Sequence, residues 1–258
     1  MQRDWDSGLY DRFGDERQRA AGDLVNAIPG NSFDRITDLG CGSGLSTRLL
    51  AQRWPDARIT AMDSSAAMLA KARGRQPGPD YVQGDIATFT PDAGQDLLFA
   101  NASLHWLSEH ALLLPRLLGF LNPQGVLALQ MPDNLHEPSH RLMDEVAAEA
   151  PFREAIGDSC PRRQELLTPE AYYDCLSETG AQVSIWSTRY LHRLGGAEAI
   201  ADWFASTGLK PYLDALPESL RGTFRSRYVE RLGEAYGQRA DGQVLMAMPR
   251  LFIVAQRP

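Results

Sequence analysis

The chain has 258 residues, of which 43% are apolar and 23% charged, and its formal net charge is −7. That is the composition of an ordinary globular protein with material for one large α/β domain, not of a disordered or fibrous chain. The acidic balance argues against nucleic acid or an anionic membrane as main partner, because both require a basic face. The polar start Met1-Gln2-Arg3-Asp4-Trp5-Asp6 lacks a signal peptide's apolar centre, and no apolar run approaches the ~18 residues of a membrane span, so the expected address is the cytoplasm. Cys41, Cys160 and Cys175 are scattered, with no C-x-x-C pair, so free thiols are expected rather than a disulfide framework or a thiolate metal site.

Apolar strand-like runs and helix-like runs alternate through the first half. A strand over residues 35–39 precedes a helix near 46–54, and a strand over 57–62 precedes a helix over 65–73. Tyr81-Val82 leads to Asp85, then a strand over 97–100 precedes a helix near 109–121, and a strand over 126–131 precedes a helix beginning near Pro138. Such alternation implies βαβ crossovers and a parallel sheet covered on both faces, a doubly wound Rossmann-like α/β fold. Asp63-Ser64-Ser65 offers N-cap oxygens to Ala66-Ala67-Met68-Leu69-Ala70, and Pro123-Gln124-Gly125 is expected to turn the chain from the fourth helix into the fifth strand.

Beyond about residue 135 the rhythm changes. Residues 136–182 and 195–247 read as helical insertions, with late strands over 183–193 and 250–256. Two late strands separated by helices predict an antiparallel pair completing one sheet edge. The whole is expected to be a single domain with its ligand-binding core at 30–135, covered by the helical segments.

The stretch Asp38-Leu39-Gly40-Cys41-Gly42-Ser43-Gly44 stands between the first strand and its helix, where an open α/β sheet binds ligands beyond its strand ends. A P-loop needs Lys and Ser/Thr after the last glycine, and Leu45-Ser46 stand there instead. A dinucleotide fingerprint counted from Gly40 needs Gly or Ala at position 45, which is Leu. A G-x-G-x-G turn with Asp38 two positions upstream suits a ligand that carries an ammonium group and no diphosphate, such as S-adenosylmethionine. Asp63, about 20 residues on at the second strand's tip, can take both ribose hydroxyls. Asp85 and Ile86, at the third strand's tip, offer a carboxylate to the adenine amino group and an apolar side chain to its face.

With those motifs, the chain resembles the class I S-adenosylmethionine-dependent methyltransferases, and more closely the family that esterifies trans-aconitate. The closer likeness rests on Gln52-Arg53-Trp54-Pro55, Phe99-Ala100-Asn101-Ala102-Ser103-Leu104, Gln130-Met131-Pro132-Asp133-Asn134 and Pro249-Arg250-Leu251-Phe252-Ile253-Val254-Ala255. It departs at Ser43, where the family often has Pro, and in a longer stretch around residues 158–164. The resemblance adds Met62 and Asn101 to the cofactor residues Asp38, Gly40, Gly42, Gly44, Asp63, Asp85 and Ile86.

The implied reaction moves a methyl group from the sulfonium to one carboxylate of a small tricarboxylate, with no metal. A carboxylate of ordinary pKa is ionised at neutral pH, so no general base is expected and alignment is the main task. A trianion approaching a net-negative protein calls for arginines gathered at the site. Arg12, Arg17, Arg19, Arg189, Arg193, Lys210, Arg227 and Arg250 are available; Tyr10, His105, Trp106, Arg189 and Arg250 are the expected contacts, and Tyr190, His192 and Trp203 could add a wall. Another small molecule as methyl acceptor, or a cofactor-binding module without catalysis, stays open on the sequence, as does a monomer against a weak homodimer. His136-Glu137-Pro138-Ser139-His140 matches a zinc-protease signature, but Pro138 is expected to start the helix and leave His136 outside it.

Overall fold

A computed structural model of the protein describes residues 14–30, 32–157 and 163–258. Helix α1 (Gly14–Ala27) precedes the core units β1 (Arg35–Leu39), α2 (Leu45–Arg53), β2 (Arg58–Asp63), α3 (Ala66–Arg75) and β3 (Asp80–Gln83). After a short 3₁₀ turn at Ile86–Thr88 come β4 (Gln95–Asn101), a second 3₁₀ turn at Leu104–Trp106, α4 (His110–Gly119) and β5 (Leu121–Pro132). Helices α5 (Pro138–Ala147), α6 (Phe152–Ile156) and α7 (Pro169–Ser177) lead to β6 (Gln182–Leu194). Helices α8 (Ala197–Ala205), α9 (Lys210–Ala215) and α10 (Glu218–Ala235) separate it from β7 (Val244–Gln256).

The seven strands form one sheet in the order β3-β2-β1-β4-β5-β7-β6. The first five run parallel, while β7 is antiparallel to both β5 and β6. Winding reverses between β1 and β4, so the loops leaving those two strands diverge and open a crevice at their carboxyl ends. The central strands are buried almost throughout, as expected where helices cover both faces. One core, with Ile36, Leu97, Phe99, Val126 and Phe252, packs under α1, α2, α5, α8 and α10; the other, with Leu98, Leu127, Leu129 and Ile253, packs under α4 and α7.

Two boundaries differ from the sequence expectation. Pro123-Gln124-Gly125 lies inside β5: Leu121 already pairs with Gln95, and the register then jumps to Leu97↔Val126. The extra residues are absorbed by Gln124 at φ 64 and by Gly125, where a side chain would meet the Asn122 carbonyl at 2.8 Å. The last strand starts at Val244, not near residue 250, because its first half, with Met246, Met248 and Pro249, carries little intrinsic strand signal and is ordered by pairing with β6 from Arg189 to Leu194.

This long hairpin is what carries the helical segments. Pro132, the end of β5, faces Arg250, and the six further pairs down to Leu194↔Val244 extend about 20 Å beyond it. There α10 packs on α5 and α8. The Tyr228 hydroxyl donates to the Ser139 carbonyl at 2.6 Å, Tyr212 donates to Asp144 at 2.8 Å, and Arg227 and Arg231 pair with Glu149 and Glu145 at 2.9 and 2.8 Å. Pro138 is the first residue of α5, leaving His136 outside the helix and exposed, while His140 is buried against the Phe204 ring edge at 4.7 Å. Among the described residues no helix is long and apolar enough to cross a membrane.

Phe252 ties the hairpin to the parallel sheet: it is fully buried, stacks on Trp186 at 4.8 Å and stands opposite Gln130. Phe252→Ala should cost about 3–5 kcal/mol, read as a lower urea midpoint at unchanged slope.

Candidate active site

The loop after β1 is built by backbone contacts and is tightly packed at Gly40 and Gly44. The Gly40 and Cys41 N–H groups both donate to the Met62 carbonyl, at 2.8 and 2.9 Å, and Gly44 N–H donates to the Cys41 carbonyl at 3.0 Å. Gly40, Gly42 and Gly44 lie at φ 78, 54 and 82, the left-handed region glycine tolerates best. A Cβ on Gly40 would stand 2.4 Å from the Ser103 Cβ, and one on Gly44 would stand 3.1 Å from Ala72 of α3, whereas one on Gly42 would meet nothing within 4 Å. Gly40 thus lets the β4 loop approach and Gly44 lets α3 pack. Gly42 faces open space. Ser103 fixes the β4 side by donating to the Leu39 carbonyl at 2.6 Å.

Asp63, at the tip of β2, accepts from Gly42 N–H at 2.8 Å with one oxygen and from Ser65 N–H at 2.9 Å with the other. Its carboxylate is therefore held against the middle of the glycine loop. Ser65 caps α3 by accepting from Met68 N–H at 3.2 Å, the role its position predicts.

Asp38 is fully buried. Ser46 and Thr47, from the first turn of α2, donate to its Oδ2 at 2.9 and 2.7 Å, while Oδ1 has no hydrogen-bond partner among the described residues. Burial pushes its pKa up to about 6; the two hydroxyls oppose that rise, and the nearby Asp63 charge adds to it. Burial and the same two carboxylates also raise the Cys41 thiol.

The β3 tip joins the same crevice. Gly84 N–H donates to the Asp63 carbonyl at 3.1 Å, Ile86 lies 3.5 Å from where a Gly40 side chain would begin, and Asp85 caps the 3₁₀ turn through Ala87 N–H at 2.9 Å. A residue outside the sequence expectations holds this turn. Arg116 of α4 donates to the carbonyls of Phe89, Ile86 and Ala87 at 2.7, 2.9 and 3.0 Å. No spacing in α4 marks it.

At the β4 tip, Asn101 accepts from Gln130 at 3.2 Å, and Gln130 accepts in turn from Arg250 at 3.1 Å. Ala102 follows in the left-handed region at φ 52, a strained conformation of the kind that gathers at ligand sites. His105 is buried, its Nδ1 without a hydrogen-bond partner among the described residues, and its ring lies 4.7 Å from the Trp106 ring, which is 44% exposed. Burial holds the His105 pKa well below its usual range, helped by the positive charges of Arg163 and Arg250. The same causes push His140 down to about 3.

The expected substrate residues divide. His105, Trp106 and Arg250 gather at the β4 and β5 tips. Arg189 does not join Arg250: it pairs with Pro249, one residue off the Thr188↔Arg250 pair, so the two side chains leave opposite faces of the hairpin, and Arg189 sits exposed on Glu137 at 3.3 Å. Tyr10 and Arg12 lie outside the described residues, as does Cys160. Arg227 and Lys210 are engaged with Glu149 and Asp214, and Arg19 lies over the Tyr190 ring at 5.4 Å. Tyr190 itself donates to Asp23 at 2.6 Å.

S-adenosylmethionine fits the residues present. Asp38 brings a buried carboxylate oxygen that no protein donor engages, the loop is open at Gly42, and α2 begins at Gly44 without a side-chain cap, leaving its first N–H groups for an anion such as an amino-acid carboxylate. Among the described residues there is no group of three or more His, Cys, Asp or Glu that could hold a metal.

Comparison with known proteins agrees with this geometry. Residues 37–129 match the family described as Methyltransferase domain. The S-adenosylmethionine dependent methyltransferase from Mesorhizobium loti shares the fold, with a TM-score of 0.52 at 19% identity over 93% of this chain and 100% of that one. Fold and glycine loop together define a class I S-adenosylmethionine-dependent methyltransferase. The chain is 51% identical over 256 residues to the trans-aconitate 2-methyltransferase of Paracidovorax citrulli and 49% identical over 256 residues to that of Methylobacterium radiotolerans, with 98% of each chain covered in both cases. It belongs to the trans-aconitate 2-methyltransferase family.

The raised Asp38 pKa has a stability consequence. Unfolded, the carboxyl ionises near its ordinary value of 3.8; folded, it keeps its proton up to about 6. Between those values the native state binds the extra proton, so the contribution of Asp38 to stability falls as pH rises and is lowest above about 6, by about 3 kcal/mol relative to a pH well below the unfolded value. Asp38→Asn removes that loss. Urea unfolding at pH 4.5 and 7.5 should show the variant gaining on the parent protein by about 2 kcal/mol at the higher pH.

Proposed function

We propose that the protein transfers the methyl group of S-adenosylmethionine to one carboxylate of trans-aconitate, giving the monomethyl ester and S-adenosylhomocysteine. The observation that carries this reading is Arg250, a buried guanidinium at the end of β5, linked through Gln130 to Asn101 at the mouth of the cofactor crevice, in a chain of net charge −7. A buried arginine at that spot has a use if the methyl acceptor is an anion.

In this reading Asp38 takes the ammonium of the cofactor through its second oxygen. Gly40, Gly42 and Gly44 bring the backbone alongside the amino-acid portion, and Asp63, with Met62 beside it, holds the ribose hydroxyls. Asp85 and Ile86 flank the adenine, with Arg116 holding their turn. Asn101 stands at the boundary between cofactor and acceptor, where His105, Trp106, Arg250 and Tyr10 receive the acid.

When bound, S-adenosylmethionine supplies an electrophilic methyl on a sulfonium. The acceptor carboxylate is already ionised at neutral pH, so no residue has to remove a proton, and the neutral His105 is not needed as a base. Charge is consumed as sulfonium and carboxylate become thioether and ester, which favours a site that excludes water and fixes the line of attack. The reading takes a small polycarboxylate as partner, a cytoplasmic address, and a monomer or weak homodimer as the working unit.

Incubation with S-adenosylmethionine labelled in the methyl group and a panel of carboxylic acids tests it. Trans-aconitate should give a labelled, base-labile ester, and transfer to none of the acids would overturn the reading. Asp63→Ala should weaken cofactor binding by roughly 10- to 100-fold, the scale of charge-assisted hydrogen bonds. Calorimetry should also find cofactor affinity falling as pH drops through about 6, where Asp38 gains its proton.

A further inference from the structure

The turn that carries His105 and Trp106 is held from behind by a buried polar pair. His110, the first residue of α4, sets its Nε2 3.0 Å from the Leu104 carbonyl oxygen, and its Nδ1 lies 2.6 Å from the hydroxyl of Tyr172 in α7, 62 residues further along the chain. Tyr172 and Leu104 are fully buried, and His110 is buried with them. A carbonyl oxygen only accepts, so in the neutral imidazole Nε2 carries the proton, Nδ1 accepts, and the Tyr172 hydroxyl donates to it. Burial pushes the Tyr172 pKa far up, which keeps that donor proton in place. The bonds therefore run in one direction, from Tyr172 through the ring to Leu104.

What they fix is a peptide plane. The Leu104 carbonyl belongs to the rigid unit that leads into His105, so pinning its oxygen sets where the His105 backbone begins. The same oxygen accepts from Leu107 N–H at 2.8 Å, the bond that closes the turn around His105 and Trp106. At the other end Ser103 ties the turn to the Leu39 carbonyl at 2.6 Å, beside the glycine loop. His105 and His110 line one small cleft, so the anchor stands next to the residue it orients. Ala102 and Glu109 bracket the segment, both in the left-handed region, at φ 52 and 60. Strain of that kind persists only where surrounding contacts hold it.

The surroundings of the pair are leucine: Leu104, Leu113, Leu114 and Leu176 belong to the same buried cluster as Tyr172. A phenylalanine and a leucine would fill that space without the cost of burying a hydroxyl and an imidazole, so packing alone does not account for the pair. An orienting role does.

We propose that Tyr172 and His110 are positioning residues for methyl transfer, fixing through the Leu104 carbonyl the turn that presents His105 and Trp106 to the methyl acceptor. This role rests on the reading of His105 and Trp106 as acceptor contacts. The test compares the parent protein with Tyr172→Phe, His110→Leu and His110→Gln. Kinetics with trans-aconitate and the carboxylic-acid panel, calorimetry with S-adenosylhomocysteine, unfolding midpoints, and nitrogen-15 spectra of histidine-labelled protein are measured on each. The parent spectrum should show His110 held with its proton on Nε2, and Tyr172→Phe should shift its Nδ1 signal. Relative to the parent, kcat/KM for trans-aconitate should fall about 10-fold in Tyr172→Phe and about 100-fold in His110→Leu, the scale of a misplaced reacting group. Affinity for S-adenosylhomocysteine should stay within about twofold, because the bonds of Gly40, Cys41 and Gly84 that build the cofactor side do not involve the pair. His110→Gln, which keeps an amide N–H for the Leu104 carbonyl, should recover part of the loss. Variants that melt earlier yet keep the parental kcat/KM below their melting range, or that lose cofactor affinity as much as turnover, would overturn the positioning role while the reaction assignment stands. If the parent methylates another acid of the panel and not trans-aconitate, the assignment of substrate fails and the same comparison on that acid decides the pair; a parent that methylates none overturns both.

Discussion

The approach of the β4 loop to Gly40 is the contact on which the crevice depends. With the Ser103 Cβ standing 2.4 Å from where a Gly40 side chain would begin, only a residue without one lets the loops after β1 and β4 meet. These are the two strands between which the winding reverses, so their loops would otherwise diverge. The Ser103 hydroxyl on the Leu39 carbonyl, the Gly40 and Cys41 N–H groups on the Met62 carbonyl, and Gly84 N–H on the Asp63 carbonyl then stitch the tips of β1, β2, β3 and β4 into one wall. Asp38, Asp63 and Asp85 come together because their strands are adjacent and parallel and these backbone bonds fix their tips.

Asp38 shows what that wall costs. A carboxyl group whose pKa is pushed up to about 6 by burial is a stability defect at neutral pH, offset in part by the hydroxyls of Ser46 and Thr47. A fold selected for stability alone would place an apolar residue there, as it does at Ile36 and Leu39 of the same strand. Local rules broken at a strand tip, with the compensation built from neighbouring side chains, are the mark of a site kept for its ligand.

Much of this was legible in the sequence, for a physical reason. Glycine at a left-handed turn, an acidic residue closing a parallel strand and an N-cap serine are each tied to a local backbone state, so Gly40, Gly42, Gly44, Asp63 and Ser65 carry their positions with them. Residues whose placement depends on strand register or on long-range folding do not. Arg189 and Arg250 looked equivalent as strand arginines, and only the pairing of Thr188 with Arg250 puts them on opposite faces. Arg116 and Arg163 lie on a helix and in an irregular stretch, and nothing local distinguishes either from a solvated surface arginine. Their roles arise from carbonyls and amides that are distant in sequence and are assembled by the fold.

The arginines also divide by the partner each is given. On the outer helices, Arg227 and Arg231 meet Glu149, Glu230 and Glu145, half-exposed pairs whose charges are spent on one another and screened by water. At the crevice, Arg163 and Arg250 donate instead to the amide oxygens of Asn134 and Gln130. A buried guanidinium is screened less than a surface one, so an acidic protein can present a cation to an acidic substrate without a basic surface.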